Sequence, residues 1–347
     1  MTRTLMTAVL LLLMGTPALA QVHPLVIAHR GASGERPEHT RAAYELAIDQ
    51  GAEFIEPDLV MSKDGVLIVR HENEIGGTTD VVARPEFADR RRTRLVDSQS
   101  VTGWFTEDFT LAELKTLRAR ERLPELRPAN TAFDDEPILT FQEVIDIARA
   151  GSDRTGRTIG VAPELKHPSH FRDLGLDMVT PFVAVLQANE LTGKDAPILI
   201  QCFEVGALKE LRQAEVAAPL LQLIAAGQGP ADVQTLLQTV MTSPSGLSDI
   251  ATYADWIGVE TTLIEPRDAT GAAQPATSLI ADAHAAGLKI VGWTFRAENV
   301  FLPLGDRRGE PAEPGGHGDL NGQLKRHYAL GIDAVFSDFP GIAVEAR

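Results

Sequence analysis

The chain has 347 residues and is short of cysteine, aromatic rings and positive charge, and each shortage closes off a class of function. A single cysteine, Cys202, excludes an intramolecular disulfide and a zinc site built from thiolates. Three Tyr and three Trp are too few for the stacking platforms that hold single-stranded nucleic acid. Lys and Arg number 32 against 48 Asp and Glu, a formal net charge of −16. The chain therefore lacks the basic footprint that nucleic acid or an anionic membrane surface requires. An anionic small molecule remains possible where the site supplies its own cations. No Gly-x-Gly-x-x-Gly turn follows the first apolar run, which counts against a doubly wound dinucleotide-binding sheet.

What is present suits a folded chain with a sizeable core: 44% apolar and 23% charged residues. Residues 1–20 read as a signal peptide. Arg3 is followed by the apolar run Ala8-Val9-Leu10-Leu11-Leu12-Leu13-Met14, too short to span a bilayer, and by the small-x-small site Ala18-Leu19-Ala20. No cysteine follows that site, so no lipoprotein anchor is expected. The mature chain, residues 21–347, is expected to be soluble and periplasmic. A buried N-terminal helix is the alternative.

Beyond the leader, apolar β-branched runs alternate with helical patterns. Strands are expected over 25–29, 54–60, 158–164, 198–202, 220–224, 256–260, 289–294 and 334–337. Helices are expected over 40–50, 140–150, 174–189, 205–214, 247–254, 276–286 and 320–329. Near-continuous apolar runs such as Ala196-Pro197-Ile198-Leu199-Ile200 suit parallel strands buried on both faces. Strand–helix alternation on this scale predicts a (β/α)8 barrel. Residues 74–136 are too long for a loop and read as a small subdomain inserted after strand two, with a short helical piece at 111–117. Its basic run Arg90-Arg91-Arg92-Thr93-Arg94 reads as a solvated face. A Gly- and Pro-rich stretch at 304–319 is expected at the C-terminal mouth, and residues 227–246 match no pattern.

Four clusters fall at or near strand ends, where barrel chemistry is built. His29-Arg30-Gly31 closes strand one. Glu56 and Asp58 flank Pro57 on strand two and project to the same side, because strand side chains alternate. Two carboxylates pointing together repel unless a cation or an arginine neutralises them. His71-Glu72 ends the stretch after the turn Lys63-Asp64-Gly65, which folds it back towards that pair. Glu164-Leu165-Lys166 repeats the i, i+2 spacing at the end of strand three. Three carboxylates without thiolates favour a hard, oxygen-loving ion, Ca²⁺ or Mg²⁺; ion pairing with Lys166 is the bland alternative. With Arg30 and Lys166 to hold an anion and two imidazoles to move protons, the set points to phosphate chemistry.

These residues, with Pro37-Glu38-His39-Thr40, resemble the glycerophosphodiester phosphodiesterase family. The likeness continues through Gln201-Cys202-Phe203-Glu204, Leu221-Gln222-Leu223-Ile224-Ala225 and Phe336-Ser337-Asp338-Phe339-Pro340-Gly341, covering nearly the whole chain after the leader. The periplasmic branch is the most similar. The resemblance implies a TIM barrel with an insertion after strand two and His29 and His71 as the acid–base pair. It implies Glu56, Asp58 and Glu164 as ligands of one Ca²⁺ ion, with Mg²⁺ the alternative, and Arg30 and Lys166 as phosphate contacts. Phe203 and Trp293 are candidates for the glycerol or head-group pocket, with core packing the alternative for Phe203. His167, His170, His284, His317 and His327 lack cluster partners in the sequence and read as structural or exposed. The implied substrates are small glycerophosphodiesters such as glycerophosphocholine and glycerophosphoethanolamine. Two alternatives are a sphingomyelinase D-like lyase giving a cyclic phosphate and a non-catalytic binding protein. The presence of both histidines and all three carboxylates argues against the second.

Overall fold

The computed structural model describes residues 23–309 and 312–347; the leader expected over residues 1–20 lies outside them. In chain order the strands are β1 (Leu25–Ala28), β2 (Phe54–Ile55), β3 (Asp58–Met61), β4 (Leu67–Val69), β5 (Arg92–Val96), β6 (Gln99–Gly103), β7 (Gly160–Val161), β8 (Glu164–Leu165), β9 (Ile200–Cys202), β10 (Leu220–Ile224), β11 (Trp256–Glu260), β12 (Lys289–Phe295) and β13 (Ala334–Ser337). β2 and β3 are halves of one strand, interrupted at Glu56-Pro57, and β7 and β8 are halves of another, interrupted at Ala162-Pro163. Proline removes a ladder donor, so both breaks fall where the sequence dictates. β1 pairs with β13 and β2, and β2 with β7; β3 pairs with β8, β8 with β9, and the ladder runs through β10, β11 and β12 back to β13. Every one of these pairings is parallel. Eight strand positions thus close a (β/α)8 barrel.

Alternation along the strands divides the apolar residues into two cores. Ile27, Leu199, Leu221, Leu223, Val291 and Phe336 fill the barrel interior. Val26, Ala28, Ile257, Ile290 and Val335 face outwards into the helix layer. The helix Arg41–Asp49 shows why these segments form: Thr40 accepts from the Ala43 backbone N–H, and Ala43, Tyr44, Ala47 and Ile48 bury one face. Such a cap contributes about 1 kcal/mol, and each large aliphatic side chain buried adds about 1.5–3 kcal/mol. The helix Phe141–Thr155 carries a capping box, Thr140 with Glu143, and packs against the first. It runs past its expected end through Gly151, which packs so closely on Ile48 that a Cβ would meet that side chain at 2.7 Å, and Gly156 closes it with a φ of +68°. The helix expected over 174–189 runs only over Val179–Ala188, starting after Gly175 with its φ of +79°, and a separate short helix, Pro168–Asp173, precedes the expected range.

The stretch between β4 and the helix Phe141–Thr155 carries the antiparallel hairpin β5–β6 and short helical turns. Of its basic run, Arg91 and Arg92 are exposed as expected. Arg90 and Arg94 instead turn inwards, donating to Glu113 at 2.5 Å and to Asp108 at 2.7 Å. Among the described residues no helix is long and apolar enough to cross a membrane.

Candidate active site

The reactive groups gather at the C-terminal ends of the barrel strands, most of them on β1, β2–β3 and β7–β8. Beyond β1 the chain turns under the helix Arg41–Asp49, and only glycine fits that turn. Gly31 has a φ of +86°, and a Cβ there would meet the Ala43 backbone carbonyl carbon at 2.7 Å. Arg30 is itself left-handed, with a φ of +58°. Its backbone N–H donates to Glu56 Oε2 at 2.6 Å, and its guanidinium donates to Glu38 at 2.9 Å and stands 3.4 Å from Asp58. Strained backbone of this kind is held where surrounding contacts over-determine it.

The break at Pro57 leaves Glu56 and Asp58 side by side, and the β3–β8 register sets Asp58 opposite Glu164. One oxygen from each of the three buried carboxylates lies within 4.8 Å of the others. Gln201 donates to Glu56 at 3.3 Å, and Lys166 Nζ lies 2.8 Å from Glu164 and 4.0 Å from Asp58. Burial and the neighbouring Asp58 push the Glu56 carboxyl well above the usual range. Burial likewise pushes Glu164 up to about 8 against the pull of Lys166. Burial would raise Asp58 too, but His71, Lys166, His39 and Arg30 outweigh it and hold Asp58 well below. Asp58 Oδ1 is buried without a hydrogen-bond partner. A cluster of hard oxygen donors that favours protons, with an orphaned carboxylate oxygen at its centre, fits a divalent cation.

Each histidine is held through Nδ1 by a carboxylate. His29 Nδ1 lies 2.7 Å from Asp338 Oδ1, and His71 Nδ1 lies 2.6 Å from Glu72 Oε1. A carboxylate accepts only, so the proton sits on Nδ1 and Nε2 keeps its lone pair. His71 Nε2 is 3.2 Å from Lys166 Nζ. Burial and the adjacent Arg30 lower the pKa of His29 to about 4; burial, Arg30 and Lys166 lower that of His71 to about 3. Both imidazoles are therefore neutral at pH 7, ready to accept a proton.

A cavity of about 1350 Å³ is lined by His29, Arg30, Glu56, His71, Glu164, Lys166, Phe203 and Trp293, so the sequence candidates converge on one site. Asp58 sits beneath its floor. Phe203 and Trp293 meet edge to face at 5.7 Å and form part of the wall rather than closed core. The unplaced stretch 227–246 contributes Gln228, Pro230, Asp232 and Met241 to the wall, whereas no described residue of 304–319 lines the cavity. The hairpin tip Asp97–Ser98 reaches the rim, and Asp97 lies 2.6 Å from His167 Nδ1. His170 contacts Glu107 at 3.1 Å, so both histidines anchor the inserted segment. Sequence reasoning left Asp338 and Glu72 without roles. Their one signal is position, a carboxylate just past a strand end or beside a candidate histidine.

Comparison with known proteins gives the family and the fold. The model of the glycerophosphoryl diester phosphodiesterase family matches residues 29–342. A glycerophosphodiester phosphodiesterase of Arabidopsis thaliana is 36% identical over 340 residues, spanning 92% of this chain and 84% of its own. One from Haemophilus influenzae is 28% identical over 256 residues, 67% of this chain and 68% of its own. Among solved structures, an Oleispira antarctica phosphodiesterase in complex with the product sn-glycerol-3-phosphate has a TM-score of 0.60 at 22% identity, covering 93% of this chain and 96% of its own. A glycerophosphodiester phosphodiesterase from Agrobacterium tumefaciens has a TM-score of 0.59 at 18% identity, covering 93% and 99%. At those identities the structural likeness speaks for the fold.

Proposed function

The chain belongs to the glycerophosphoryl diester phosphodiesterase family, and from that premise we propose that it hydrolyses glycerophosphodiesters to sn-glycerol 3-phosphate and an alcohol, in a metal-dependent reaction after export. Glycerophosphocholine and glycerophosphoethanolamine are the expected substrates. One observation carries the reading: the two imidazoles line a single cavity with Arg30, Lys166, Glu56 and Glu164, and Asp58 completes the buried carboxylate triad beneath it.

Glu56, Asp58 and Glu164 would hold the ion, Ca²⁺ in this reading and Mg²⁺ as the alternative. When bound, it supplies positive charge that stabilises phosphoryl oxygens and acidifies a nearby hydroxyl. Arg30 and Lys166 hold the phosphoryl group by charge-assisted hydrogen bonds. Nε2 of one histidine accepts the proton of the glycerol hydroxyl next to the phosphodiester as that oxygen attacks phosphorus. The other histidine, which takes a proton from solvent onto Nε2 as the anionic phosphodiester binds beside it, gives that proton to the departing alcohol oxygen as its bond to phosphorus breaks. Water then opens the cyclic glycerol phosphate with the two roles exchanged.

The test is product analysis by ³¹P NMR with glycerophosphocholine, with and without added Ca²⁺. Glycerol phosphate and choline should form only with the ion. A cyclic phosphate as end product would make the protein a lyase. No turnover with stoichiometric enzyme would make it a binding protein.

A further inference from the structure

Two arginines five positions apart in the inserted segment, Arg122 and Arg127, reach the carboxylates behind the two histidines. Arg122 grips Glu72 with both ends of its fork, Nη1 to Oε1 at 2.9 Å and Nη2 to Oε2 at 2.6 Å. Glu72 Oε1 in turn holds His71 Nδ1. Arg127 Nη2 donates to Asp338 Oδ2 at 2.6 Å, while the other oxygen of Asp338 holds His29 Nδ1. Arg122 also donates to Glu38 at 2.6 Å and 2.7 Å, the carboxylate that binds Arg30.

We infer that Arg122 and Arg127 are positioning residues for the two histidines, and that the inserted segment serves to present them. This rests on His29 and His71 being the acid–base pair proposed above.

The physical case has three parts. A carboxylate bound by one imidazole N–H alone can rotate about its terminal torsion, and the ring turns with it. An arginine on the second oxygen fixes the plane of the carboxylate, as a planar fork does best. A fixed Nδ1 partner in turn fixes the tautomer and the direction of Nε2. Second, cations stand against both carboxylates, Arg122 shared between Glu72 and Glu38 and Arg127 between Asp338 and Glu298, with Arg296 also donating to Asp338 Oδ2 at 3.0 Å, so neither need be neutralised by protonating its histidine. Third, the segment carrying both arginines is itself pinned. Arg127 N–H donates to the Leu123 carbonyl at 2.8 Å, Glu121 accepts from the Leu123 N–H at 2.8 Å and from Asn130 at 2.8 Å, and the Glu121 N–H donates to Asp134 at 2.7 Å. Side chains presented from such a frame are held to a fraction of an ångström, which acid–base geometry demands.

The two arms differ usefully. Arg127 is almost wholly buried and also donates to Glu298 at 2.5 Å, so its removal threatens the fold. Arg122 is about a quarter exposed, so solvent can partly replace it and its removal should cost the fold less than that of Arg127.

The experiment compares Arg122→Gln, Arg122→Lys and Arg127→Lys with His29→Ala and His71→Ala in the full chain. It measures kcat, KM, Ca²⁺ affinity by calorimetry, and ¹⁵N shifts of the imidazole nitrogens in the ion-free protein. The Arg122→Gln variant should lose tenfold or more in kcat, with KM and Ca²⁺ affinity within threefold of the parent. Its His71 nitrogens should shift towards averaged tautomers while those of His29 stay put. Arg122→Lys should recover part of the loss, because a point charge restores balance without the fork. Arg127→Lys should move the His29 nitrogens and leave those of His71. Parental kcat with unmoved nitrogen shifts in the folded Arg122→Gln protein would overturn the inference. So would a loss of activity that follows KM or ion affinity. If His29→Ala and His71→Ala retain activity, the acid–base assignment itself fails, which is a distinguishable result.

Discussion

His39 Nε2 lies 2.8 Å from Asp58 Oδ2, and both residues are fully buried. The other ring nitrogen of His39 lies 2.9 Å from the Tyr44 hydroxyl, which is itself 3.3 Å from the Glu56 carbonyl. A histidine, a tyrosine and an aspartate thus link the first helix to the floor of the ion site. His39 needs a left-handed backbone, φ +59°, to make the reach.

Replacing His39 by Gln should therefore weaken Ca²⁺ binding by about 10–100-fold, the usual cost of losing a partner behind a ligand. It should also cost about 1–3 kcal/mol of stability, since Asp58 and Tyr44 lose a buried partner. Calorimetric titration and denaturant melts read both. Unchanged affinity would separate His39 from the ion site.

Proton release gives a second expectation. In the ion-free protein Glu164 keeps its proton up to about pH 8, against an ordinary value of 4.5. Binding must expel that proton, and with it any that the raised Glu56 carboxyl holds, so affinity should rise by up to about tenfold per pH unit for each proton released. The folded ion-free state holds a proton that the unfolded chain has released above pH 4.5, so its stability should fall as pH rises from 4.5 to 8. Saturating Ca²⁺ should remove that slope. Substituting Glu164→Gln should weaken ion binding far more than Glu72→Gln, because Glu72 faces His71 and Arg122 instead of the triad. Titrations in buffers of different ionisation enthalpy count the protons.

An analogue lacking the glycerol hydroxyl next to the phosphodiester should bind yet turn over orders of magnitude more slowly. Intramolecular attack draws on proximity of about 7 kcal/mol or more. Efficient hydrolysis of that analogue would exclude the cyclic route and leave direct attack by water.

Gly34 packs under Phe339, and a Cβ there would come within 2.3–2.5 Å of three ring carbons. Its N–H donates to the Asp338 carbonyl at 2.9 Å. Gly34→Ala should cost about 1–3 kcal/mol by overpacking and, by displacing Asp338, lower kcat more than it raises KM. Thermal melts with steady-state kinetics test this, and parental values of both would show that the loop absorbs the methyl freely.

Exported protein should begin at or near Gln21, after the small-x-small site at Ala18–Ala20. Intact-mass measurement decides, and retention of Met1 would end the export reading.

The barrel was legible because its evidence is local. Apolar runs of strand length, recurring in order with helices between them, leave few ways to bury both faces. Glu56 and Asp58 could be placed on one side from i, i+2 spacing alone, and the irregularity at Pro57 followed from a missing N–H. The late start of the helix Val179–Ala188 was less legible, since Leu174, Leu176 and Met178 carry the apolar pattern back across Gly175. What supports the candidate chemistry came from closure of the ring. His29 and Asp338 are 309 positions apart and meet only because β13 pairs with β1. Arg122 and Arg127 look like ordinary surface arginines in a charged stretch until the inserted segment folds over the mouth. Sequence spacing could not tell Glu56 and Glu164 from Asp58, whose carboxyl is displaced the opposite way. Side-chain type and strand period are written residue by residue, and so the sequence determined the barrel and the order of its reactive groups. Which proton each group holds depends on burial and on neighbours brought together through space, and those only the tertiary structure decided.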